Sequence, residues 1–203
     1  MAVQGKTKHE VLSAFRTAEI LGAARKVFAE KGFNDATMDQ IAEAGGLSKG
    51  TVYLYFPSKR DVYLAALMHG AQELGILTAQ RMAAVEGFRA KIRAFFQTRL
   101  QYLEENRDFF QIYHSEFGNI MHPVALCQDF RDLYLKNLVA FESLLKEGME
   151  AGEIRASNLP TIASAIYDMA KGTMMRRLIG PTGTSVDEDV ETLTDLAWKG
   201  ISN

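Results

Sequence analysis

Residues 37–59 read TMDQIAEAGGLSKGTVYLYFPSK, from Thr37 to Lys59, and the way this stretch folds fixes what surrounds it. Thr37 carries the side-chain oxygen of a helix cap, and Met38, Ile41 and Ala42 recur at the spacing of one buried helical face. Gly45-Gly46 stops that helix, because glycine accepts the left-handed backbone of a C-cap. Ser48 caps a second helix, Lys49, Gly50, Thr51, Val52, Tyr53, Leu54 and Tyr55, before Pro57 ends it, with Leu47, Val52, Leu54 and Phe56 expected inward. Two short helices joined by a tight glycine turn make a helix-turn-helix, whose second helix lies in the major groove of DNA.

The residues left outward on the second helix are Lys49, Gly50, Thr51, Tyr53 and Tyr55. They offer hydroxyl and ammonium donors and a stretch of bare backbone, which suits phosphate oxygens and base edges. Lys59 stands at the start of the following helix behind Ser58, where the helix dipole also favours an anion. The tyrosines have a second reading as packing residues. With Val52, Leu54 and Phe56 meeting the inward demand, at least one of them is expected to face a partner.

From Arg16 to Leu67 the chain resembles the DNA-binding domain of TetR-family transcriptional regulators. The resemblance is carried by Ile20, Ala24, Phe28, Gly32, Phe33, Thr37, Ile41, Ala42, Gly46, Lys49, Gly50, Thr51, Tyr53, Phe56 and Lys59. It implies a double-stranded DNA operator as partner and a contact set of Thr37, Ser48, Lys49, Gly50, Thr51, Tyr53, Tyr55 and Lys59. Two positions depart from the family pattern: Gly45 stands where alanine is usual, and Tyr55 where histidine is frequent.

Composition agrees with an all-helical protein of ordinary size. The 203 residues are 47% hydrophobic, enough for a sizeable core, and four prolines leave room for long helices. The single cysteine, Cys127, has no intrachain partner, which excludes a disulfide framework and points to a reducing cytoplasm. Residues 1–10 are polar, unlike a signal peptide, and no apolar run approaches the roughly 18 residues of a membrane span, so a soluble protein is expected. The net charge is −2, but up to Met68 there are nine Lys and Arg against seven Asp and Glu, and beyond it fourteen against eighteen. The excess of cations falls on the DNA-reading side, and Lys6, Lys8 and Arg16 add a basic arm that could follow phosphates or only solubilise the tail.

Apolar residues three and four apart predict helices over about 10–31, 37–44, 48–55, 58–85, 87–104, 106–118, 123–151, 159–180 and 187–201. The breaks are set by Gly87, Asn106, His122-Pro123, Gly152, Asn158-Leu159-Pro160 and Gly180-Pro181-Thr182-Gly183. The fold expected is therefore all-α with about nine helices. Residues 1–57 form the arm and DNA-binding domain, and residues 58–203 a helical ligand-binding and dimerisation domain.

The second half concentrates aromatic and methionine side chains. Most belong in a core, but TetR-like regulators usually hold a small-molecule pocket there, so the resemblance marks Phe95, Phe96, Arg99, Tyr102, Phe110, Tyr113, Phe117, Tyr134, Tyr167 and Met174 as candidate lining. Arg99 falls on the apolar stripe of Phe88, Ile92, Phe95, Phe96, Tyr102 and Leu103, where an unpaired charge is costly. Either Glu116 or Asp168 pairs with it, or an anionic or polar ligand head group does. His114, His122 and Glu116 lack the spacing of a metal-ligand set, and Cys127 has no orienting group or oxyanion hole, so neither a metal nor an enzyme is expected.

Helices 123–151 and 159–180 resemble the pair that forms the family's four-helix dimer bundle. Ala140, Gly148, Ala163, Ala165 and Gly172 would allow close approach, with Leu138, Leu145, Ile162, Ile166 and Met169 filling the seam. The resemblance implies a homodimeric repressor released from a pseudo-palindromic operator by a small apolar or amphipathic effector. KEGMEAGEIR, Lys146 to Arg155, looks like the matching region of fatty-acid-responsive members, which suggests an acyl-CoA-like compound; lipophilic drugs or aromatic compounds are the other class. A regulator whose second half binds a protein effector is the alternative.

Overall fold

A computed structural model describes residues 7–117, 128–155 and 158–202, and for residues 114–117 and 130 the backbone alone. Among them run nine helices and no strand: α1 (Lys8–Asp35), α2 (Met38–Ala44), α3 (Lys49–Tyr55), α4 (Lys59–Ala83), α5 (Phe88–Glu105), α6 (Arg107–Phe117), α7 (Gln128–Glu150), α8 (Leu159–Ile179) and α9 (Val186–Ile201). No described helix is long and apolar enough to cross a membrane.

The first three helices and the start of α4 share one core. Ile20, Ala24 and Phe28 of α1 are buried with Ile41 and Ala42 of α2, Val52 of α3 and Val62 and Ala66 of α4. Four of the helix starts are fixed by side chains, Thr7, Thr37, Ser48 and Ser58, each accepting from the amide three residues on. Helix α1 runs four residues past its expected end at 31, because Gly32 takes φ 73°, ψ 170° and the chain then resumes a last turn. That break turns Phe33 onto Phe28 and Tyr63, with ring centroids 6.1 and 4.9 Å away. The α2 stop is split between its two glycines: Gly45 is right-handed, and Gly46, at φ 62°, takes the left-handed position.

One inward assignment fails. Leu54 is 83% exposed. At 100° per residue it lies on the far side of α3 from Val52, and Tyr55 and Phe56 are the residues that swing back to the core. Positions 52, 54 and 56 alternate like a strand, which a helix cannot bury together.

In the second half α5 is central. Its Ile92, Phe95, Phe96, Leu100 and Leu103 are buried among α4, α6, α8 and α9. Helix α9 lays Val190, Leu193, Ala197 and Ile201 on it, rimmed by Arg89–Asp195 and Arg93–Glu191 ion pairs at 2.7 Å. Helix α7 ends in the KEGMEAGEIR stretch, where Gly152 at φ 76° reverses the chain and buries Ile154 against Gly148 and Phe88. That stretch closes a helix.

Helices α7 and α8 pack against each other within the chain. Leu145, Ala163 and Ile166 are buried within the chain and Gly148 lies against Ile154 and Phe88, so none of the four is free to fill a seam with a second copy. Ala140, Ala165 and Gly172 are exposed, as are Leu135 and Val139 on α7. Residues 123–127 of the expected helix, with His122 and Cys127, lie outside the described residues.

Candidate nucleic-acid interface and effector cavity

The starts of α2 and α3 meet at one edge of the N-terminal unit. Thr37 Oγ1 accepts from the Gln40 amide while the Gln40 side chain accepts from the Thr37 amide at 3.1 Å, so this hydroxyl belongs to a capping box. Ser48 Oγ accepts from the Thr51 amide at 3.1 Å and lies 2.8 Å from Thr51 Oγ1. Both hydroxyls therefore have partners inside α3 while remaining at its surface. Gly50 is exposed and open on its outer side, where a Cβ would meet nothing nearer than Ser48 Oγ at 3.9 Å. Tyr53 is 43% exposed and Tyr55 half-buried against the core, so of the two it is Tyr53 that stands outward.

Two lysines behave differently. Lys49 Nζ lies 2.7 Å from Asp39 Oδ1 and 5.9 Å from the Tyr53 ring centroid, and its hydrogen bond to the carboxylate, with the nearby negative charge, raises its pKa. Lys59 Nζ donates to the backbone carbonyls of Asn34 at 2.9 Å and Ala36 at 2.8 Å and sits 4.7 Å over the Phe33 ring. It fastens the end of α1 to the start of α4. Asp39 escaped the sequence reading because its link to Lys49 crosses the turn and follows no helical spacing.

Helices α4 to α8 border a partly open cavity, with about 730 Å³ of empty space when the solvent at its mouth is counted. Of the candidate lining residues, Arg99, Phe110, Tyr113, Tyr134, Tyr167 and Met174 border it, and Ala71, Leu74, Phe109, Leu133, Asn137, Asp168 and Lys171 complete the wall. A second hollow of about 760 Å³ shares Arg99, Asn137 and Tyr167 and continues past Phe95, Met82, Phe141 and Leu144. Phe96 is fully buried in the core, lining neither. Tyr102 is also core; its hydroxyl donates to Glu73 Oε2 at 2.7 Å, and burial followed by this contact holds the phenol well above its usual pKa. The Phe117 side chain lies outside the described ones.

Arg99 stands at the waist between the two spaces. Its guanidinium carbon is 4.6 Å from the Phe95 ring centroid and 4.4 Å from that of Tyr167. Among the described residues it enters no ion pair, and its Nε is buried without an acceptor. Asp168 lines the cavity without pairing to it, and the Glu116 side chain lies outside the described ones. Burial pushes the Tyr113 phenol up to about 12 against the opposing charge of Arg99, and burial raises Tyr134 too. Both phenols are neutral donors near pH 7. No group of three His, Cys, Asp or Glu that could hold a metal ion occurs among the described residues.

A further polar contact joins the two halves. Arg25 on α1 approaches Asp108 on α6 at 3.8 Å, longer than a hydrogen bond, and its Nε and Nη1 are buried without hydrogen-bond partners.

Residues 20–66, the capped helices just described, match the sequence model of bacterial regulatory proteins of the tetR family. The transcriptional regulator YfiR of Bacillus subtilis is 30% identical over 169 residues, which span 80% of each chain. The chain belongs to the TetR family. The HTH-type transcriptional activator FasR of Mycolicibacterium smegmatis is 25% identical over 190 residues, 93% of this chain and 84% of its own. The structure of FadR from Bacillus subtilis in complex with stearoyl-CoA superposes with a TM-score of 0.79 over 91% of this chain and 98% of that one, at 19% identity, a likeness of fold. This TetR-family chain is accordingly a DNA-binding transcriptional regulator built on a helix-turn-helix, and not an enzyme.

Proposed function

We propose that the protein is a homodimeric repressor that leaves a pseudo-palindromic operator when an amphipathic small molecule fills the cavity. Its anionic or polar head meets Arg99 and its apolar body lies against the surrounding rings. The observation that carries this reading is the guanidinium itself, held between two aromatic faces with Nε buried and unsatisfied in a cavity wall. A buried charge of that kind is costly until an anion or carbonyl oxygen reaches it. The FadR neighbour, solved with stearoyl-CoA, supports acyl-CoA thioesters as the first compounds to try, with lipophilic aromatic compounds second.

Dimerisation is supported by exposed Leu135, Val139, Ala165 and Gly172 on α7 and α8, an apolar and small-residue face that a second copy would cover. Two copies of α3 would then read the two half-sites, and exposure at the start of α3 makes Ser48, Lys49, Gly50, Thr51 and Tyr53 the residues expected nearest to the groove.

The test is fluorescence anisotropy on DNA from immediately upstream of the gene, at fixed salt, with and without both compound classes. One class is expected to relieve specific binding. Arg99→Ala is expected to keep operator affinity and to need at least roughly tenfold more effector. Full response in Arg99→Ala would remove the head-group role, and specific binding that no compound relieves would favour a protein effector. Run-off transcription from the same DNA separates repression from activation, the direction carried in the name of FasR.

A further inference from the structure

Asp39 lies in the first turn of α2 and Lys49 opens α3. The two carboxylate oxygens of Asp39 stand 2.7 and 3.0 Å from Lys49 Nζ, yet the side chains remain 63% and 59% exposed. The pair is braced from within and open outward. Residues at the start of a recognition helix are those that reach base edges, so Lys49 would enter the groove with α3, and Asp39, bonded to it from the start of α2, would stand beside it.

A carboxylate brought there faces the negative potential of the duplex, and it opposes binding unless a base offers it a donor. In the major groove the cytosine N4 amino group is such a donor, while guanine O6 and N7 are acceptors for an ammonium group. Lys49 has three N–H bonds and its side chain is 59% exposed, so beside the contact to Asp39 a donor remains for a base. As a phosphate clamp the pair would be poor, because its charges cancel and it releases few counterions.

The geometry points to Asp39 as a specificity-determining residue: with Lys49 it forms one donor–acceptor unit that reads a G·C pair in each operator half-site, Asp39 accepting from cytosine N4 and Lys49 donating to guanine. This rests on α3 being the groove-facing helix. Asp39 then lowers affinity for every duplex and restores it only where cytosine is placed, so it raises the ratio of specific to non-specific binding.

Full-length protein is selected against a randomised duplex library, and the bound fraction is sequenced. Kd values for the selected duplex and its single-base variants are then read by anisotropy over a salt series, for wild type, Asp39→Ala and Asp39→Asn. Glu43→Ala, an exposed carboxylate towards the other end of α2, is the control. The α2 cap is made by Thr37 and Gln40, so neither Asp39 variant removes it. Asp39→Ala is expected to lose roughly tenfold or more of its discrimination at one C·G position while binding random duplex more tightly with a salt slope steeper by about one. Asp39→Asn is expected to move the preference at that position to adenine, whose N6 and N7 suit a carboxamide. Glu43→Ala should do neither. An equal change on every duplex with the base preference intact in both variants would overturn the assignment, leaving Asp39 as a prop for Lys49. A wild type that selects no sequence would overturn it together with the operator reading beneath it.

Discussion

Gly70 of α4 lies against Phe109 of α6: a Cβ there would stand 2.4 Å from Phe109 Cδ2, and the ring is buried on all sides. Gly70→Ala should therefore destabilise by about 1–3 kcal/mol, read as a lower urea midpoint, despite alanine being the better helix former. Gly172 is the internal comparison, since nothing lies within 4 Å of its Cβ position; Gly172→Ala should leave the isolated fold unharmed or stabilise it by up to about 1 kcal/mol, read as a higher urea midpoint. Tyr113 gives a pH signature. Its phenol is raised from 10.0 to about 12, chiefly by burial, so the unfolded chain releases this proton first. The stability it contributes is intact below pH 10 and is lost as pH rises through 12. Urea midpoints at pH 8 and pH 11 should fall less for Tyr113→Phe than for wild type.

Helix α6 is short and carries two duties at once. Its first turn aims Asp108 at Arg25 on α1, and the next residues, Phe109 and Phe110, form cavity wall. Asp108→Asn should leave effector affinity and operator affinity within a few-fold of wild type while shrinking the change in operator Kd that effector causes, by roughly fivefold or more. Anisotropy titrations with saturating effector and without it give that ratio. The boundaries of such elements were legible in the chain: Gly87, Asn106, Gly152 and Asn158 all mark breaks where expected, because caps and left-handed turns are local chemistry. What was hidden is tertiary. An apolar stripe does not say which neighbour it meets, so Phe96 and Tyr102 were placed beside a ligand and belong to the core. Gly148 and Ala163 fit a partner helix as well as their own chain, and the chain takes them. The pairing of Asp39 with Lys49 depends on the angle between two helices, which no spacing encodes.

At the scale of the whole molecule the sharpest prediction concerns assembly. Gly172→Arg places a long side chain in open space on α8 of a single chain, where it disturbs nothing, but at the face expected to meet a second copy it would be buried as an unpaired charge. Sedimentation should show monomer with an unchanged far-UV circular-dichroism spectrum, and operator affinity should fall by at least about a hundredfold through loss of the second half-site. The effector signal proposed for this molecule would also meet a constraint set by Lys59. Because that ammonium group bolts the end of α1 to the start of α4 through two carbonyls, the DNA-reading unit and the head of α4 are expected to tilt as one piece. The letters read by each half-site should then be the same with and without effector, and the tolerance for the number of base pairs between the halves should be what moves.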